Sequence, residues 1–259
     1  MNKLEHTFVL CAYGDSPYLE ECIQSLLAQT RKSQIILYTS TPSKHIETIC
    51  RKYEIPIYVK KGGSIGKDWN NALSCVETKY ATIAHQDDYY EQDYARFILE
   101  QAEQKEDSII LYSDYFEEKD NRKVEHTTNL KIKSFMLKTM NLFPSSSFWK
   151  KRILAFGNAI CCPAVTYNLE KLGNFKFDEN LRGNLDWIAW YHLAQKSGRF
   201  VYVDKKLMCH RIHSDSETSK TIEDNTRTAE DLETLKLFWP NWIAKFIMKF
   251  YVKSQNSNG

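Results

Sequence analysis

Tyr80-Ala81-Thr82-Ile83-Ala84-His85-Gln86-Asp87-Asp88-Tyr89-Tyr90 carries an apolar run of strand length into two adjacent carboxylates, and a helix-like segment follows. In a chain that alternates strand and helix, acids at the carboxyl end of a strand stand where open α/β sheets bind ligands. Carboxylates placed there also suit a hard cation such as Mg²⁺, which bridges phosphate oxygens. The plainer alternative is that Asp88 caps the following helix and Asp87 is solvated.

Upstream, the alternation is regular. Thr7 to Ala12 reads as a short buried strand, and Ser16-Pro17 then offers an N-cap and a first-turn proline. Leu19, Cys22, Ile23, Leu26 and Leu27 follow at helical spacing. Gln34 to Tyr38 is a second strand. Thr41-Pro42 opens a second helix whose apolar face is Ile46, Ile49, Cys50 and Tyr53. Ile55 to Val59 is a third strand, placed near an edge by Pro56. Ile65 to Val76 is a third helix and Tyr80 to Ala84 a fourth strand. The pattern predicts an α/β fold with a mostly parallel central sheet and helices on both faces.

Downstream the signals thin. A helix is expected from Asp88 to about Gln104 and a strand from Ile109 to Tyr112, with Glu117 to Asn129 a mobile loop. Pro144 to Pro163 also reads as a loop, facing donor and acceptor. Gly173-Asn174-Phe175 marks a turn. Leu185 to Ser197 is a helix carrying Trp187, Trp190, Tyr191 and Ala194, stopped by Gly198. Val201 to Val203 and Leu207 to Arg211 look like two short strands. Ile222 to Trp239 is a charged helix ended by Pro240.

The final helical segment, Trp242 to Lys253, sets Trp242, Ile243, Phe246, Ile247 and Phe250 at helical spacing beside Lys245, Lys249 and Lys253. That pattern suits an anionic membrane surface. It suits equally a face packed on the rest of the chain, or on a second subunit as a homodimer contact. The expected organisation is a domain over 1–220, with a nucleotide-binding half at 1–113 and an acceptor-side half at 114–220. A C-terminal helical extension at 221–253 and a disordered tail at 254–259 complete it.

Composition bounds the function. Hydrophobic residues make up 42% of the 259 and charged residues 26%, as in an ordinary globular protein. A net charge of +2 is too small to argue for nucleic acid as a partner. Seven scattered cysteines without a C-x-x-C pair read as reduced core residues of a cytosolic protein. No signal peptide and no apolar run long enough to span a bilayer is seen. A cytoplasmic location, either free or peripheral on the inner face of the membrane, is therefore expected.

The order of these motifs resembles the inverting nucleotide-sugar glycosyltransferases of the GT-A fold, the large bacterial family 2 group, over roughly residues 5 to 220. Phe8 to Tyr13 followed by Tyr18 to Thr30 is similar to that family's opening strand and helix. Gly66-Lys67-Asp68-Trp69-Asn70-Asn71-Ala72 resembles its segment beside the donor, and His85-Gln86-Asp87-Asp88 takes the place of its D-x-D motif. Gly173-Asn174-Phe175, Leu185-Asp186-Trp187 and His210-Arg211-Ile212-His213 then appear in the family's order. The departures are His85 for the first acid of D-x-D, Leu185 for the acid before the catalytic aspartate, and Trp69 for a basic residue. Thr39-Ser40 also replaces an acidic pair.

The resemblance implies a metal-dependent transfer of sugar from a nucleotide-diphosphate donor to a saccharide or lipid-linked acceptor, in surface polysaccharide or glycolipid synthesis. It makes Asp186 the general base, with Asp87 and His213 as ligands of Mn²⁺ or Mg²⁺. Ala12, Tyr13, Asp15, Thr39, Gly66, Lys67, Asn70, His85, Gln86 and Arg211 would line the donor site, Arg211 pairing with the diphosphate unless it serves a structural salt bridge. A UDP-sugar is weakly favoured, and Thr39-Ser40 weakens the claim to uracil. The alternatives are a non-catalytic nucleotide-sugar binding subunit and a sugar nucleotidyltransferase. The latter lacks its basic loop after the first strand, where Ala12 to Pro17 carries no cation.

Overall fold

A computed structural model describes residues 4–213 and 226–256. Strands His6–Ala12 (β1), Gln34–Thr39 (β2), Ile57–Val59 (β3) and Tyr80–His85 (β4) alternate with helices Leu19–Leu27 (α1), Lys44–Lys52 (α2) and Ile65–Leu73 (α3). All four strands are parallel, in the order β3-β2-β1-β4, with β3 at the edge as Pro56 implied. The chain builds outward from β1 to β3 and then returns to lay β4 on the other side of β1. Strand order reverses there, and the crevice at the carboxyl ends is the natural ligand site. Cys11 sits opposite His85, so Ala12 and His85 end side by side.

The remainder extends the sheet as β8-β6-β9-β5. It comprises Tyr89–Tyr90 (β5), Tyr94–Gln104 (α4), Ser108–Lys119 (β6), Arg122–Val124 (β7), Thr128–Met140 (α5) and Ser147–Leu154 (α6). Val165–Asn168 (β8), Leu169–Leu172 (α7), Leu185–Ala194 (α8), Arg199–Ile212 (β9), Thr226–Lys236 (α9) and Asn241–Asn256 (α10) follow. β8 runs antiparallel to both β4 and β6, while β6 and β9 are parallel. Alternation along β1 divides the core: Phe8 and Leu10 pack on one face of the sheet and Val9 on the other. Ser43, Ser64, Thr127 and Ser146 each accept a first-turn amide of the helix they open, worth about 1 kcal/mol apiece.

Several expectations are corrected. The helix after Asp88 begins only at Tyr94, because Tyr89 and Tyr90 pair with Cys209 and Met208 of β9. Ser16 does not cap α1; Tyr18 holds that position without a side-chain bond. The expected loop at Glu117 to Asn129 is a β6–β7 hairpin. Its turn residues Asp120 and Asn121 take φ of 52° and 58°, as a tight two-residue connection requires. The expected Pro144 to Pro163 loop contains α6, and the two short strands near the end are one bent strand, β9.

At the C-terminus, the beginning of the expected Ile222 helix lies outside the described residues, as do residues 257–259. Helix α10 runs through Asn256, past the expected boundary at Lys253. Leu235, Ala244 and Met248 join the same core as Trp187 and Trp190, so α9 and α10 pack on the main body. Trp242 and Phe246 remain exposed. Among the described residues no helix is long and apolar enough to cross a membrane.

Candidate active site

The two carboxylates after β4 have different surroundings. Asp88 is 1% exposed, and its Oδ1 accepts the Arg211 amide at 2.9 Å and lies 3.2 Å from His210 Nδ1. It is therefore no helix cap. Its Oδ2 has no hydrogen-bond partner and sits 3.8 Å from His85 Nδ1. Asp87 Oδ2 lies 3.0 Å from His213 Nε2. Burial works to raise the Asp87 carboxyl, but the His213 bond and the nearby His85 and His210 outweigh it and hold it below the usual range.

His85, in the position of an expected acid, stacks on Trp69 with ring centroids 5.3 Å apart. Its buried Nε2 has no partner. His85, Asp87 and Asp88 offer ligand atoms that all lie within 4.8 Å of one another. The orphaned Asp88 Oδ2, 3.8 Å from His85 Nδ1 in this cluster, fits a divalent cation, which would satisfy it.

Five residues expected to line the donor pocket make packing or hydrogen-bond contacts within the fold. Arg211 is 5% exposed and donates to Glu118 Oε1 at 2.9 Å, Glu21 Oε2 at 2.8 Å and the Asp87 carbonyl at 3.1 Å. With Tyr18 also stacked on its guanidinium at 4.3 Å, it is the structural salt bridge rather than a free diphosphate cation. Gln86 spends its amide on the Tyr13 backbone, accepting at 3.2 Å and donating at 2.9 Å. Thr39 is fully buried and accepts the Thr41 amide. Asn70 holds Phe177 in both directions, at 2.8 and 3.0 Å. Gly66 is needed because a Cβ there would fall 2.0 Å from the Asp178 carbonyl oxygen.

The others lie near the end of β1 and the start of α3, with Ala12 itself buried. Ala12 ends β1, while Tyr13 is 69% exposed beside it. Asp15 accepts the Ser43 hydroxyl at 2.6 Å and is otherwise open to solvent. Lys67 is half-buried in the first turn of α3, with no ion pair among the described residues.

Asp186 stands in the first turn of α8, half-buried. Asn158 donates to its Oδ2 at 2.7 Å and the Trp187 amide to its Oδ1 at 2.7 Å. Burial pushes its carboxyl up, against the pull of Arg227 and these two donors. The turn before it is fastened by α9: Glu230 accepts the amides of Arg182, Gly183 and Asn184 at 2.9, 2.7 and 2.9 Å. Asn184 in turn donates to Asp231 at 2.6 Å.

Several contributors escape a reading of the sequence. Lys133 on α5 donates to Tyr115 Oη at 2.7 Å, and burial lowers its pKa. Arg227, Asn158 and Glu230 likewise carry no local pattern. The charged helix expected from Ile222 to Trp239 anticipated α9, but not its contacts with the turn before Asp186.

A model for glycosyl transferase family 2 matches residues 7–165. An uncharacterised glycosyltransferase of Rickettsia typhi is 26% identical over 246 residues, covering 92% of this chain and 71% of the relative. One of Methanocaldococcus jannaschii is 22% identical over 250 residues, covering 93% and 81%. Among solved structures, S. aureus TarS 1-349 in complex with UDP-GlcNAc gives a TM-score of 0.66 at 15% identity, covering 96% of this chain and 72% of that one. The mannosyltransferase PcManGT from Pyrobaculum calidifontis, in complex with GDP-Man and Mn2+, gives 0.64 at 11% identity, covering 98% and 76%.

Proposed function

The chain belongs to glycosyl transferase family 2 and has the GT-A fold, and from that premise we propose that it moves a sugar from a nucleoside-diphosphate sugar to an acceptor hydroxyl with inversion at the anomeric carbon. The observation that supports this reading is the cluster just after β4, at the carboxyl end of the parallel strands, where His85, Asp87 and Asp88 offer ligand atoms within 4.8 Å of one another.

Asp186, its carboxyl raised by burial, takes the proton of the acceptor hydroxyl. The freed oxygen bonds the anomeric carbon as the bond from that carbon to the diphosphate oxygen breaks. Attack from the face opposite the leaving group inverts the centre, the demand also met by the water-activating carboxylate of an inverting glycosidase. Tyr13, exposed at the end of β1, would offer an aromatic face to the base, and Lys67, in the first turn of α3, a cation to the diphosphate. Asp87 and His213, with His85 and the free oxygen of Asp88, would hold a divalent ion. When bound, that ion neutralises charge on the leaving diphosphate, and the imidazole donors tilt the preference from Mg²⁺ toward Mn²⁺. The neighbouring structures, with UDP-GlcNAc in one and GDP-Man and Mn2+ in the other, support a nucleotide-sugar donor without choosing its base. A saccharide or lipid-linked acceptor, in surface polysaccharide or glycolipid synthesis, completes the reading.

A thermal-shift panel of uridine, thymidine, guanosine and cytidine diphosphate sugars, with Mn²⁺ and with chelator, tests it. One donor class should stabilise the protein, more strongly with the ion. If no donor shifts the melting temperature in either condition, the donor reading fails. Binding without nucleotide release in the presence of acceptor would favour the non-catalytic subunit that His85 and Leu185 keep open.

A further inference from the structure

Most of the exposed large hydrophobic side chains fall in two segments, 132–156 and 237–246. Phe135, Phe143, Phe148 and Phe156 are 69%, 58%, 65% and 56% exposed, and Trp242 is 74% exposed. The same two segments contain no acid. From His126 to Leu169 there is no Asp or Glu, and from Leu237 to Gly259 there is none either. Lys131, Lys151, Lys245 and Lys249 lie in these stretches without an ion pair among the described residues. These stretches hold an ordinary share of the chain's lysines and arginines but none of its acids, so their own charge is wholly positive.

The end of the first segment and the start of the second meet. Phe143 meets Trp149 edge-on at 5.4 Å, and the Arg152 guanidinium lies 5.4 Å over Phe148 and 5.0 Å over Trp239. Trp239 also meets Phe156 at 5.8 Å and donates to the Ala155 carbonyl at 2.8 Å. Trp242, three residues on, lies in the first turn of α10.

We propose that this face docks on an anionic lipid bilayer, its aromatic rings at the headgroup level and its lysines against phosphate. A soluble surface rarely leaves such an apolar patch bare. Aromatic rings rimmed by lysine and arginine match the interfacial zone, where each basic residue adds to attraction by the negative surface potential. A second copy is the poorer occupant: a two-fold contact sets the patch against itself, and the two segments bring only cations of their own to it.

The face borders the site. Lys133 of α5 bonds Tyr115, whose ring meets His210 beside Asp88, and Asn158, just past α6, holds Asp186. Docking therefore brings the Asp186 side of the crevice to the bilayer and selects a lipid-anchored acceptor. That last step rests on the glycosyl-transfer reading; docking itself does not.

Flotation of the full chain with phosphatidylcholine liposomes, with and without phosphatidylglycerol, tests the proposal. The protein should float only with the anionic vesicles and be released by salt. Phe148→Ser with Trp242→Ser should lower partitioning roughly 10²-fold, the scale of two aromatic side chains withdrawn from an apolar phase. Lys151→Glu with Lys249→Glu should lower it at least ~10-fold. Donor affinity and melting temperature, measured on the same samples, should stay at wild-type values, so failure of the site and failure of docking are told apart. Equal flotation with both vesicle types, or none, overturns the proposal. So does a dimer, or single-stranded RNA binding, that the same substitutions abolish while flotation is unchanged.

Discussion

His213 Nε2 stands 3.0 Å from Asp87 Oδ2, across 126 residues of sequence. The residue after β9 thereby meets the turn after β4, and the pair presents one imidazole and one carboxylate to the crevice. Asp87→Ala leaves His213 without that partner and removes the carboxylate most open to a cation. Diphosphate nucleotide affinity measured by calorimetry should fall and lose its dependence on Mn²⁺. The ~10–100-fold loss seen when a metal site loses a supporting group is the floor. Equal donor binding by the wild type in Mn²⁺ and in chelator would remove the metal role from both residues.

Asp186→Asn keeps the shape of the side chain and its reach to the Trp187 amide. An amide cannot accept the acceptor's proton, so transfer should drop by at least ~10²-fold, the scale of a lost general base. Donor binding should stay near wild type. Turnover at the wild-type rate would send the base role elsewhere, with Asp178 and Glu179 the next acids to test.

Up to His85 the fold was legible because strands and helices alternate with clear punctuation and each helix shows one apolar stripe. Helix α5 hides from such a reading: it buries Leu130, Leu137 and Met140 while exposing Ile132 and Phe135, so no single stripe marks it. The pairing of Asp87 with His213 was legible in the order of the motifs, and the contacts around the proposed site less so. Gly66 and Asn70 share a helix face, as their spacing says, but what lies across from them is a loop 107 residues away. Arg211 likewise finds Glu21 and Glu118, and Glu230 finds three amides, through contacts that no local pattern encodes. Local chemistry announces a charged or glycine position; tertiary packing decides whether ligand or protein occupies it.

Gly66→Ala tests that packing. Its Cβ would lie 2.0 Å from the Asp178 carbonyl and 3.2 Å from Glu179 Cα, both backbone, so α3 or the 178–179 segment must move. Overpacking of this kind costs about 1–3 kcal/mol. Melting should fall by roughly 2–4 °C for each kcal/mol in a chain of this size. Asn70→Ala, which frees the same segment without a clash, should destabilise less. Unchanged melting in Gly66→Ala would mean that the segment is not seated on α3.

His6 gives the fold a predictable acid sensitivity. The ring is 1% exposed, with Nδ1 2.8 Å from Ser33 Oγ and Nε2 2.9 Å from Thr82 Oγ1. Thr82 continues to Thr166 at 2.6 Å, so one polar chain ties β1, β4 and β8 together. Burial, helped by Arg31, pushes the imidazole from 6.5 down to about 3. A folded pKa below the unfolded one means that protonation favours the unfolded chain. The stabilisation is complete above 6.5 and is lost as the pH falls from there toward 3. Linkage puts the loss at about 2 kcal/mol between about pH 7.5 and about pH 5. Urea unfolding of the wild type and of His6→Gln at both pH values reads it, because other titrations cancel in the difference. The wild type should lose about 2 kcal/mol more than the variant on acidification. Parallel losses would show that His6 is protonated in the folded state or that its ring is not held in this chain of hydrogen bonds.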